Sequence, residues 1–247
     1  VSEPRNHSAA DYRDFAAELC VHFETMTDDF EVPSEDFQKF VLCFGTGSHA
    51  MHQVAAALAV AQTGRVFAAH ANARVALECA IAAQWIVVHP DGFDRYQQLL
   101  AHQKTRLITG LHKVDMLPGG NESYWALLKG LEERDARNQT TEAIFSSLIP
   151  HGQALYAIYR QLCQATHPSD WVADAYFASP DGKLHLRGNA DIGDEDGTFL
   201  YYPLALCAIF AVGALESLRV GTPHLGWLDA KSIELIGEGC MLKPRPV

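Results

Sequence analysis

A chain of 247 residues with 19 lysines and arginines against 30 aspartates and glutamates carries a formal net charge of -11, which argues against a broad nucleic-acid surface, because such binding rests on neutralising phosphates with cationic side chains. With 48% hydrophobic and 20% charged residues it has the composition of an ordinary globular protein, not of a disordered one. Six scattered cysteines with no Cys-x-x-Cys spacing read as free thiols of a cytoplasmic protein, and the polar opening "VSEPRNHSAADYRD" offers no export signal.

Helical periodicity dominates from the start. In "SAADYRDFAAELCVHFETMTDDF" the apolar positions Tyr12, Phe15, Ala16, Leu19, Phe23 and Met26 step by three and four, and Ser8 with Asp11 supplies a start signal. A short second helix follows Ser34 through Phe37, Phe40, Val41 and Phe44. The glycines of "GTGS" are expected to break the chain before an alanine-rich helix over 49–62, which Gly64 turns. The pattern then runs over 65–88 without glycine or proline, about six turns of a central helix.

Residues 93–112 repeat the signature, "LPGGNES" makes a loop, and a further helix is predicted over 124–137. Thr140 or Thr141 caps a short helix ending near Ile149, and after Pro150 a helix runs over 153–166. Alternation around Asp181-Gly182 predicts a β-hairpin insertion over about 175–197, with an acidic loop behind it. The apolar run over 199–215 meets Glu216 and Arg219 before reaching the roughly 20 residues a membrane span needs, so it reads as a buried central helix. The sum is one all-α domain over 1–247, a bundle of about eight helices with a small hairpin, and no membrane contact.

Few residue groups carry chemistry. No Glu-x-x-His pair is present for a carboxylate-bridged metal centre. His49 and His52 share a helical face but lack a companion carboxylate or thiolate, and they read as a solvated first turn; no metal and no cofactor is expected. "GTGSH" lacks the lysine of a phosphate-binding loop and serves as a turn.

More informative is "HANARVALECAIAAQW", where His70, Arg74 and Glu78 recur every four residues as a polar line on an otherwise apolar helix. The apolar surroundings predict that Arg74 and Glu78 are paired and largely buried, since an unpaired buried charge is prohibitively costly. In "YRQLCQATHPSDW", Arg160 and His167 stand seven positions apart, with Tyr156 on their face and Cys163 near it. About 10 Å of helical rise separates them, so one helix does not bring both to one phosphate, and a composite site needs a second copy of the chain. Alternatively His167 only ends the helix, where its charge suits the C-terminal dipole and Pro168 stops the chain.

An arginine followed by a histidine near the end of a helix in an all-α bundle resembles the HEPN superfamily. "NARVALECAIAAQWIVVHPDGFDRYQQLLAHQK" and the later "YAIYRQLCQATHPS" more closely resemble an uncharacterised family of bacterial helical proteins, which share an Arg-x-x-x-Glu helix and a tyrosine-rich helix ending in His-Pro or His-Ser. The likeness covers about residues 65–170. It implies a homodimer with a polar pocket for a phosphate-containing, nucleotide or RNA ligand, lined by His70, Arg74, Glu78, Tyr156 and Tyr159. A metal-independent ribonuclease would use Arg160 and His167 as its catalytic pair. The competing expectation is a non-catalytic helical module in which the same residues only hold helices together.

Overall fold

The computed structural model describes residues 7–26, 30–114, 140–178, 185–190, 193–194 and 197–245. The helix predicted over 124–137, the "LPGGNES" loop and the Asp181-Gly182 turn lie outside the described residues. The periodicity of the first stretch is realised as α1 (Ala9–Met26), which buries Phe15, Ala16, Leu19, Phe23 and Met26. Its start is a reciprocal cap, because the Ser8 N–H donates to the Asp11 carboxylate at 2.7 Å and the Asp11 N–H donates to the Ser8 hydroxyl.

The second element departs from expectation. A 3-10 turn at Ser34–Asp36 leads into α2 (Phe37–Gln62), a single helix of 26 residues that runs straight through "GTGS". Glycine costs about 1 kcal/mol in a helix interior, but packing gives the reason at Gly47, where an added Cβ would sit 3.3 Å from the Leu215 side chain. The "GTGS" segment is therefore neither a break nor a turn, and His49 and His52 are exposed mid-helix residues instead of a first turn.

Gly64, at φ +77°, turns the chain into α3 (Val66–Val88), and α4 (Gly92–Lys113) follows. After the undescribed stretch, Thr140 caps α5 (Thr141–Ser146) by accepting the Ala143 N–H at 3.1 Å. This helix stops short of Ile149, because β1 (Leu148–Ile149) pairs antiparallel with β4 (Lys243–Pro244) near the C-terminus. Next come α6 (Gly152–Thr166) and α7 (Asp170–Ala175), a short helix that the pattern did not reveal, capped by Ser169. The expected hairpin is present as β2 (Phe177–Ala178) against β3 (His185–Leu186). The long α8 (Thr198–Glu216) and α9 (Leu225–Ile236) complete the bundle, which is all-α with nine α-helices among the described residues.

The apolar α8 is the axis of the fold, packed by α1, α2, α3 and α9. By length and composition α3 and α8 are each apolar enough to cross a bilayer, but here both lie within the core. The C-terminal segment is clasped to them. Gln84 Nε2 donates to the carbonyls of Phe210 and Cys240, and Gly213 leaves room for the Cys240 carbonyl, which would stand 2.8 Å from an added Cβ. All six cysteines are free.

Candidate functional site at the α3–α6 cleft

The helices α3 and α6 pack together, and the polar line on α3 meets the face of α6 that carries Leu155, Tyr159 and Leu162. Positions i, i+4 and i+7 share a helical face, so this apolar triplet sets which way α6 turns. Tyr159 and Cys163, one turn apart, are thereby directed at Arg74. Its Nε donates to Cys163 Sγ at 3.3 Å and its Nη2 to the Tyr159 hydroxyl at 3.3 Å, while Glu78 Oε2 lies 3.6 Å from Nη2.

The predicted Arg74–Glu78 pair exists, but it is not largely buried. The Arg74 side chain keeps 25% of its exposure and Glu78 41%. The reason is that α6 covers only the Arg74 side of the line, and Glu78 lies on the rim. Hydrogen bonds from the guanidinium to Tyr159 and Cys163 orient Arg74 more than Glu78 does. Burial opposes the charge of Arg74, but its bonds to Cys163 and Tyr159 and the field of Glu78 more than offset this and raise its pKa. Tyr159 titrates above the ordinary tyrosine value, chiefly through burial and then through the field of Glu78.

Around this centre the rings are closely packed. Tyr159 stacks on Tyr156 with centroids 6.1 Å apart and meets Phe145 at 5.4 Å, and the Tyr156 hydroxyl donates to Glu142 at 3.3 Å. A cavity of about 70 Å³ lies beside Glu78, lined also by Tyr96, Gln103, Thr141 and Phe145. That is room for only a water or two, so a larger ligand must approach Arg74 from the solvent side.

Other predicted residues lie apart from this centre. His70 continues the line but is 1% exposed, its ring set against Phe67 and Trp171. Its Nδ1 sits 3.1 Å from the carbonyls of Val66 and Phe67; since carbonyls only accept, Nδ1 carries the proton and Nε2 is the lone-pair nitrogen. Arg160 is exposed, about 100° around α6 from Tyr159. His167 is the exposed residue that ends α6, with extended backbone and its N–H donating to the Cys163 carbonyl. The cleft thus gathers Arg74, Glu78, Tyr156 and Tyr159, and leaves Arg160 and His167 on the outer surface. Sequence reasoning gave no role to Glu142 and Phe145. No local signal could have supplied one, because they come from a short helix whose position depends on the tertiary fold.

No group of three histidine, cysteine, aspartate or glutamate side chains among the described residues is arranged to hold a metal ion. Comparison with protein-family models, curated proteins and solved structures returns no match to this chain. The class that the fold defines is an all-α helical bundle.

Proposed function

We propose that this chain is a cytoplasmic, HEPN-like bacterial protein that binds a phosphate-containing ligand of the nucleotide or RNA class at the rim of the α3–α6 cleft. The observation that carries this reading is the state of Arg74. Its guanidinium is held by two side chains of α6 and one of α3, keeps its charge, and still reaches solvent. A planar cation fixed in this way suits a phosphate oxygen pair better than a mobile one, because less side-chain freedom is lost on binding. The tyrosines beside it offer a surface on which a base can stack. In the catalytic form of this reading, His167 transfers the proton and Arg160 steadies the phosphate from a second copy, because both face outward on one helix.

Calorimetric titration with adenosine monophosphate and with a single-stranded RNA oligonucleotide, in chelator, tests the reading. Binding that falls by about tenfold or more in Arg74→Gln supports it, since charged hydrogen bonds are worth about 1.5–3 kcal/mol. No heat with either probe rejects it. A second reading is favoured by the origin of Arg74's three partners, all of which lie on the helices it joins: the cluster is an architectural clamp in a non-catalytic module. Under that reading Arg74→Gln lowers the melting temperature and neither probe binds.

A further inference from the structure

An open groove of about 790 Å³ runs between α2 and α4, and its lining includes Phe37, Val41, Gly45, His49, Gln97 and Leu100. Three observations concern what occupies it. First, none of the eleven described residues that line it is Asp, Glu, Lys or Arg, in a chain that is 20% charged with a net charge of -11. Second, large apolar side chains stand in water there: Phe37 is 59% exposed, Val41 55% and Leu100 37%. Third, Gly45 lies inside a 26-residue helix with nothing within 4 Å of where its Cβ would be. Gly47, two residues on, is explained by Leu215, but nothing among the described residues explains Gly45. With no Cβ in the way, the helix leaves room there for another backbone to come close.

Phe37, Val41, Gly45 and His49 form one i, i+4 row, the ridge that interlocks when two helices cross at about -50°. The row carries both a ridge, at Phe37 and Val41, and a gap, at Gly45. We propose that this face binds a second copy of the chain, with α2 crossing its own symmetry mate at Gly45 in a two-fold dimer. A two-fold contact requires a surface complementary to itself, and a row with its own ridge and gap is one. The amides of Gln38 and Gln97 donate and accept alike, so they also pair with their own copies. Charge selects the same face: two chains of -11 repel one another, and an uncharged strip is where that repulsion costs least. An enclosed pocket would suit a small apolar molecule, but this groove is open along the row. The inference does not depend on what binds at Arg74.

Sedimentation velocity of the full chain over a concentration series tests it, with circular dichroism and thermal melts as controls for folding. Wild type is expected to dimerise at micromolar concentration, and more tightly as salt screens the shared negative charge. Val41→Glu and Gly45→Leu, both at exposed positions, should each weaken the dimer by at least about tenfold while the helical signal is kept. Gly45→Cys should form a disulfide-linked dimer under mild oxidation that wild type does not form, because residues at the axis come within the roughly 7 Å between Cα atoms that a disulfide spans. A wild-type chain that stays monomeric throughout the series overturns the proposal, whether the groove then takes a different protein, an apolar ligand or nothing. A dimer that both substitutions leave unchanged, with no Gly45→Cys cross-link, overturns it equally.

Discussion

Gln84 on α3 accepts the backbone N–H of Leu242 at 2.9 Å while its own amide nitrogen holds the carbonyls of Phe210 and Cys240, so one buried side chain ties three segments together. Replacing it with leucine keeps the volume and removes every bond, leaving the Leu242 N–H without its side-chain acceptor in the core. Each buried polar group left unsatisfied costs about 1–3 kcal/mol. Gln84→Leu is therefore expected to lower the urea midpoint by the equivalent of about 2–4 kcal/mol and to abolish hydrogen-exchange protection at Leu242. Unchanged protection there would show that the clasp is not what holds the C-terminal segment.

The Arg74 cluster makes a graded prediction. Glu78 sits on the rim, so Glu78→Ala should cost less than about 1 kcal/mol, as exposed pairs do. Tyr159→Phe removes one hydrogen bond to Arg74 and should cost about 1 kcal/mol. Tyr159→Ala also removes a buried ring packed on Phe145 and Tyr156 and should cost about 3–5 kcal/mol. Denaturant midpoints that put Glu78→Ala first in this order would contradict the placement of the pair.

At the far end of α8, Glu216 is fully buried and accepts from Arg219 at 2.9 Å and from the His224 N–H at 3.4 Å. The Arg219 guanidinium also lies 4.7 Å from the Phe30 ring centroid. Glu216→Ala removes the buried carboxylate to which Arg219 donates, and a loss of about 3–5 kcal/mol is expected, the usual result of breaking a buried pair. Chemical denaturation of this variant and of Arg219→Met gives the comparison; a loss below about 1 kcal/mol would put the pair in the class of solvent-screened surface bridges.

Acid should destabilise the fold through its histidines. His22 titrates below the ordinary value, first because it is partly buried and next because His224 stands 4.9 Å away, ring to ring. Arg219 lowers it further, while Glu216 and Glu18 act in the opposite sense. His70 is lowered too, by burial against the raising effect of its backbone bonds and of Asp194. A histidine with a depressed folded pKa contributes stability that is complete above its unfolded value of about 6.5 and is lost as pH falls towards the folded value. Urea midpoints should thus decline between about pH 7 and pH 5, and His22→Gln should flatten part of that slope. A slope identical in wild type and variant would remove His22 from the account.

The fold was legible where the determining forces are local. Apolar spacing located α1, α3, α4, α6 and α8, because each buries one continuous stripe or its whole circumference. It failed at "GTGS", where glycine's helix penalty was visible but Leu215, the residue it makes room for, lies far along the chain. It also missed β1 and β4, two-residue strands that exist only because the C-terminal segment returns to pair with them. At the cleft, Arg74 and its pair Glu78 were found from their spacing and Tyr159 came with the resemblance, but the bond to Cys163 was not foreseen. Arg160 and Tyr159 are neighbours in sequence, and which of them points inward is set by the burial of Leu155 and Leu162.

The placement of α8 has a consequence for synthesis. The first three helices pack against a rod that is translated only after roughly 100 further residues beyond Val88, a delay on the order of 5–20 seconds at ordinary elongation rates. Through that interval the surfaces of α1, α2 and α3 that will later enclose Leu204, Ile209 and Val212 have no filling. The nascent chain emerges as a sleeve waiting for its pin, and a translation product ending before Thr198 should be held by chaperones or aggregate instead of folding.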